Sequence, residues 1–300
     1  MQPNICLGTA QFGMNYGITN KNGKIESKEI REILEFANEN NISYLDTAQN
    51  YGNAEQLLGE NLQFSNNFKI ITKFKPFAGK VWDSYSLSKI RDEFFRSLDN
   101  LKINSLDAVL FHDSFDLKID GKEYLYEWLK ELKEDGLIKR IGISIYKEED
   151  LEDIPLEIIQ IVQLPLSIYD QSLVRSGLVN KLKNNGISIH ARSIFLQGLL
   201  LKRSNLPKFM SKEMNAHHTK LINYLDKNNI SLLDASLAFI KSFSQLEAFV
   251  IGISCKKELI EIINSLVHFE KENVQLFEEL KCFCWNNQND LDPRLWQKDK

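Results

Sequence analysis

The chain predicts an α/β fold, a closed (β/α)8 or TIM barrel forming one domain over residues 1–300, on three observations. Eight short β-branched runs recur along its 300 residues. Helical patterns separate these runs, and no composition shift or Pro/Gly-rich linker divides the chain. Most of the runs are apolar almost without a break, as strands covered on both faces must be. A doubly wound open sheet would show the same alternation and is the alternative. Barrels of this kind commonly occupy ~250 residues or more as one unit. A chain of this length buries roughly three quarters of its unfolded surface, so a large core forms without staples.

The strands are expected at 4–9, 42–46, 68–74, 106–112, 138–145, 158–164, 187–193 and 246–254. Between the first two, Ile30, Ile33, Leu34 and Ala37 fall at i, i+3, i+4 and i+7, one face of a helix. After the second, Asn53 followed three residues on by Gln56 has the form of a capping box. After the third, Leu87, Ile90, Phe94, Leu98 and Leu101 make a stripe. After the fourth, Leu125, Trp128, Leu129 and Leu132 repeat the helical spacing. Gly136 and Gly186 stand where a left-handed residue ends a helix. Leu259, Ile262, Ile263 and Leu266 mark the helix after the eighth strand. Two helices exceed the repeat, one at 231–242 and one at 272–284. The C-terminal helix and tail start at about 271, and the polar tail beyond Trp285 is expected to drape over the barrel.

Composition excludes several classes of function. The charge sum is 37 − 41 = −4 with both signs interspersed, which is neither the basic stripe of a nucleic-acid binder nor a polybasic membrane surface. No run approaches the ~18 consecutive apolar residues of a membrane span. The N-terminus lacks the basic-then-apolar order of a signal peptide. Four cysteines make no disulfide framework, and Cys282 and Cys284 read as two helix residues; a reducing cytoplasm is the expected location. His190 points from mid-strand and His217–His218 fall in an expected loop. None has a partner at metal-ligand spacing, so no metal is expected. Oligomeric state is left open.

The active site of such a barrel lies at the C-terminal ends of its strands. There the second strand ends at Asp46, the third at Lys73 and the fourth at His112, with Tyr51 and Gly52 a short loop beyond Asp46. A carboxylate, an ammonium and an imidazole thus terminate three successive apolar runs, with a phenol beside them. A phenol has a pKa of ~10. An ammonium ~4 Å away contributes ~4 kcal/mol toward its anion at an effective dielectric of ~20. On this reading Lys73 makes Tyr51 acidic, Asp46 keeps the buried Lys73 charged, and His112 positions a carbonyl. Proton donation to an oxygen becoming an alkoxide is what hydride delivery to a carbonyl requires.

The motifs LGTAQFG, YLDTAQNYG, ITKF, LFHD, GISIY and RSIFLQGLL resemble, in order and spacing, the aldo-keto reductase superfamily across almost the full chain. The resemblance implies a tetrad of Asp46, Tyr51, Lys73 and His112, with Tyr51 as general acid and base. It implies a nicotinamide coenzyme, NADPH with NADH as the alternative, held without a Rossmann fold. It assigns the coenzyme Ser144, Gln163, Arg192, Ser193, Leu196 and Gly198, then Gly252, Ser254 and Lys256 where the N-terminal amides of a helix suit an anion. Ile145 stands where many members have Asn, Arg192 where many have a stacking aromatic residue, and the expected Arg and Asn along the last helix are missing. Met14, Tyr16 and Trp82, with Phe12 and Tyr85, are the substrate-side candidates. The polar run at 112–114 points to a small-molecule carbonyl substrate that is hydroxylated and sugar-like. Two other readings remain. One is a coenzyme-binding regulatory or low-activity relative, which Ile145 and Arg192 keep open. The other is a barrel lyase using Lys73 as a Schiff-base amine.

Overall fold

The computed structural model describes residues 2–18, 20, 23–62, 67–204, 206–268 and 274–296. All eight expected strands form, and they close in sequence order into one parallel barrel, β8 pairing with β1. β1 (Asn4–Gly8) leads through the single turn α1 (Ala10–Gly13) to α2 (Ser27–Glu39). β2 (Tyr44–Asp46) leads to α3 (Ala54–Asn61), β3 (Lys69–Phe74) to α4 (Ser84–Leu101) and β4 (Leu106–Phe111) to α5 (Lys122–Glu134). After β5 (Ile138–Ser144) and β6 (Ile161–Pro165), the latter followed by α6 (Ser172–Arg175) and α7 (Leu178–Asn184), comes β7 (Ser188–Arg192). Two helices, α8 (Lys212–Lys227) and α9 (Leu232–Lys241), precede β8 (Ala248–Gly252). Then follow α10 (Lys256–His268), α11 (Val274–Lys281) and α12 (Gln288–Leu291).

The extra helix before β8 is therefore present, and so is the terminal one from Val274 to Lys281. The expected start of the latter at Glu272 lies outside the described residues. Cys282 and Cys284 follow its last residue as free thiols rather than sitting within it. The fifth connection departs from the repeat: only two 3-10 turns, Glu148–Leu151 and Leu156–Ile158, join β5 to β6. Asp153 is left-handed there (φ 61), and Pro155 disfavours a helical residue before it, so no helix propagates. Gly136 and Gly186 end their helices with φ of 71 and 72 as expected. Asn53 does begin α3, but its side chain makes no cap bond; its Oδ1 instead accepts from Lys24 Nζ at 3.1 Å.

Side-chain parity divides the strands cleanly. Leu7, Leu45, Ile70, Val109, Ile143, Val162, Ile189 and Phe249 face outward into the layer shared with the helices. Cys6, Tyr44, Ile71, Ala108, Leu110, Ile161 and Ala248 face inward and form a second, smaller core inside the barrel. A period of two then carries Asp46, Lys73, His112, Ser144, Gln163, Arg192 and Gly252 inward at the C-terminal rim. One alternation thus builds both the core and the site above it.

The opposite end of the barrel is closed by a polar network. Glu247 accepts from Arg140 Nη1 at 2.6 Å, His190 Nε2 at 3.0 Å and the Tyr44 hydroxyl at 3.0 Å. Arg140 also pairs with Asp107, and Lys69 donates to the Tyr44 hydroxyl at 3.2 Å. Burial opposes ionisation of Glu247, but the bonds from His190 and Arg140 hold its carboxyl well below the usual carboxylate range. Glu247→Ala would strand Arg140 with half its partners. The expected loss is roughly 2–4 kcal/mol, below that of a fully buried pair because the carboxylate is partly solvated. Urea unfolding at unchanged m-value measures it; a loss under ~0.5 kcal/mol would mean that water replaces the network at no cost.

Candidate active site

Lys73 and Asp46 form a buried ion pair at the mouth of the barrel, their side chains 1% and 4% exposed. Lys73 Nζ donates to Asp46 Oδ1 at 2.7 Å and Oδ2 at 2.6 Å, and to the Thr47 carbonyl at 3.0 Å. Gln163 Nε2 donates to Asp46 Oδ1 at 2.5 Å, so the carboxylate is shared between β3 and β6. Lys73 Nζ lies 5.2 Å from the centre of the Tyr51 ring. That ring meets His112 edge-on, with centroids 6.1 Å apart and an 82° interplanar angle. The four residues of the expected tetrad are thus in one place.

Tyr51 sits on a loop, and two glycines fix that loop. A Cβ on Gly13 would lie 1.8 Å from the Tyr51 carbonyl oxygen. A Cβ on Gly52, whose φ is +61, would lie 2.3 Å from the Gly13 carbonyl oxygen. The chain after β1 and the chain after β2 therefore touch backbone to backbone at this point. Only residues without side chains allow that approach.

The electrostatics differ from the sequence expectation. Burial first, then the Asp46 carboxylate, push the Tyr51 phenol well above its ordinary value, and Arg192 is the cation that pulls the other way. Lys73 meanwhile directs its donors to Asp46 and Thr47. For His112, burial and then the charges of Lys73 and Arg192 push the imidazole down to about 4. It is neutral at physiological pH, and its buried Nδ1 has no hydrogen-bond partner.

A single cavity of about 790 Å³ joins these groups to the β5–β8 rim, within the usual range of ligand pockets. Ser144, Gln163, Arg192, Ser193, Gly198, Gly252 and Ser254 line it, as do Met14 and Tyr16. Arg192 donates to Ser144 Oγ and Ser193 Oγ at 3.3 Å and to the Ile145 carbonyl at 2.9 Å.

The other assigned residues lie off the cavity wall. Trp82 is buried away from the cavity, stacked on Phe77 at 3.9 Å, with Nε1 bonded to the Asp116 carbonyl at 2.8 Å. Phe12 is likewise core, and Tyr85 is an exposed residue of α4. Leu196 is buried under the turn after β7, where its φ is 45, and does not reach the wall. Lys256 turns its ammonium over the Phe36 ring at 5.5 Å. Asp113 caps the turn after β4 by accepting from Phe115 N at 3.0 Å. His217 and His218 lie on α8 rather than in a loop; no cluster of metal-binding side chains occurs among the described residues.

Among the wall groups that sequence reasoning missed are Tyr146, Arg294, and the pair Glu258 and Glu261. The C-terminal tail does drape over the barrel mouth, and it brings Arg294 with it. The guanidinium carbons of Arg192 and Arg294 lie 3.9 and 3.4 Å from the Tyr146 ring centre. Two planar groups have no room on one face at those distances, so they take opposite faces. Arg294 also pairs with Asp292 at 2.6 Å. A Tyr two residues past the β5 terminus and an Arg near the chain end offer no local pattern that would have joined them.

A parallel eight-stranded barrel with a buried ion pair, a phenol and an imidazole at its C-terminal mouth has the architecture of a barrel enzyme. The Aldo/keto reductase family model matches residues 4–281, and the chain belongs to that family and is an oxidoreductase. It is 28% identical to D-arabinose 1-dehydrogenase of Saccharomyces cerevisiae over 254 residues, covering 78% of this chain and 75% of the yeast protein. It is 23% identical to L-glyceraldehyde 3-phosphate reductase of Escherichia coli over 328 residues, covering 95% and 91% of the two chains. Among solved structures, the holo form of aldo-keto reductase AKR11C1 from Bacillus halodurans superposes with a TM-score of 0.74 at 20% identity, covering 96% of this chain and 95% of that one. No helix among the described residues is long and apolar enough to cross a membrane.

Proposed function

We propose that this chain reduces an aldehyde or ketone to an alcohol with a reduced nicotinamide dinucleotide, NADPH or NADH, and that Tyr51 delivers the proton. The observation that carries this reading is the convergence of Tyr51, His112 and the Lys73–Asp46 pair at one end of a cavity large enough for a dinucleotide and a small substrate. Polar groups on the cavity wall support a coenzyme there: the Ser144 hydroxyl, the Gln163 amide and the Arg192 guanidinium all face inward from strand ends. A bound reduced nicotinamide supplies the hydride. Neutral His112 donates a hydrogen bond to the carbonyl oxygen and holds it beside the Tyr51 hydroxyl. Tyr51 then passes its proton to that oxygen as negative charge develops there, while the ion pair and Gln163 keep the surroundings rigid.

The mouth of the cavity supports a substrate class. Met14 and Tyr16 offer an apolar edge, whereas Arg192, Arg294 and Asn50 offer donors. That mixture suits a hydroxylated aldehyde better than an alkyl one, and the names of the yeast and E. coli relatives point the same way. The test is coenzyme titration followed by turnover of a carbonyl panel spanning aldoses, hydroxyaldehydes and alkyl aldehydes. Turnover of a hydroxylated aldehyde at ~1 s⁻¹ or more is expected. Tight coenzyme binding with no turnover across the panel would instead describe a silent binder.

A further inference from the structure

The cavity has two ends. Tyr51, His112 and the ion pair stand at the barrel axis; from there the space passes the turn after β7 and reaches residues 231–233, at the start of α9, and the first turns of α10. This inference rests on the coenzyme reading above. If the nicotinamide lies at the tyrosine end, the adenosine ribose of an extended dinucleotide lies at the α10 end. NADPH differs from NADH there by a 2′-phosphate, a dianion that needs cations or unoccupied helix amides.

The α10 end presents carboxylates instead. Glu258 and Glu261 face the cavity. The amide of Ser254 donates to Glu258 Oε2 at 2.6 Å, and the amide of Lys256 donates to Glu29 Oε1 at 3.2 Å. Two of the chain's own acids thus occupy N–H groups at the head of the helix. Of the neighbouring cations, Arg203 lines the cavity but pairs with both oxygens of Asp226 at 2.6 and 2.7 Å, Lys256 lies over the Phe36 ring, and Lys257 points to solvent with a loose contact to Glu261 at 3.8 Å. We infer that the pocket selects NADH over NADPH and that Glu258 sets the preference. Its carboxylate accepts a hydrogen bond from a ribose hydroxyl and repels a phosphate.

Fluorescence titrations of the full chain with NADH and with NADPH read this directly. NADH is expected to bind about tenfold or more tightly. In Glu258→Gln, which keeps an acceptor for the Ser254 amide but drops the charge, the ratio should narrow to within about threefold by a gain in NADPH affinity. Glu261→Gln, on a more exposed position, should narrow it in the same direction and serves if the first variant does not fold. NADPH binding as tightly as NADH to the unmodified chain overturns the inference, as does a ratio unmoved in the folded variants. Binding of neither coenzyme overturns the coenzyme reading itself, a result distinct from both.

Discussion

Tyr51→Phe is expected to lower kcat for carbonyl reduction by roughly 10²–10⁴ while leaving the dissociation constant of the reduced coenzyme within about threefold of wild type. Only the proton donor is lost, since the ring that packs against His112 and lies over Lys73 is retained. Stopped-flow single turnovers separate the chemical step from product release. A variant whose hydride-transfer rate equals that of wild type would remove Tyr51 from the chemistry.

The pH dependence carries the sign of the surroundings. Because burial and Asp46 raise the Tyr51 phenol, it stays protonated through the neutral range, and reduction, which needs the protonated form, should be flat from about pH 6 to 9. Alcohol oxidation needs the phenolate, so its rate should rise about tenfold per pH unit over that interval. His112, pushed down to about 4, adds no break near its ordinary value. On the proposed mechanism a phenol with a raised pKa can still donate, because a forming alkoxide is a stronger base than a phenolate. Acidification by Lys73, the expectation from spacing alone, is not required by this chemistry.

That reversal illustrates what spacing encodes. Asp46, Lys73 and His112 were legible because each ends an apolar run, and period-two alternation must then turn all three inward at one rim. The same alternation placed Ser144, Gln163 and Arg192. Spacing says nothing about which partner a donor chooses, and Lys73 chose Asp46 over the phenol. Loop paths are equally silent. Trp82 was expected on the substrate side, yet its ring found Phe77 and its N–H found a carbonyl. The helix head at Ser254 and Lys256 looked like an anion site until the fold brought Glu29 from α2 to the Lys256 amide, a contact across 227 residues. Arg294 reaches Tyr146 only because α11 and α12 return the tail to the barrel mouth. What a strand does could be read locally; what a loop meets could not.

Lys73→Met is expected to destabilise the fold by about 3–5 kcal/mol as well as to depress turnover, because it leaves the Asp46 carboxylate buried with no cation. Gln163 Nε2 would remain as a donor, but a neutral amide does not balance a charge. The double variant Asp46→Asn/Lys73→Met removes both charges together, and replacement of a buried pair by neutral groups is often close to energetically neutral. Its stability should therefore return to within about 1–2 kcal/mol of wild type, although its kcat stays low. The coupling between the two positions, read from denaturant midpoints in a double-mutant cycle, should be large and of opposite sign to the single losses. Equal instability of the single and double variants would mean that the methionine side chain, rather than a stranded carboxylate, disturbs the site. Recovery of stability without recovery of turnover would separate the two roles of the pair: tolerance of burial belongs to its neutrality, and catalysis to the position and polarity it imposes on the floor beneath Tyr51.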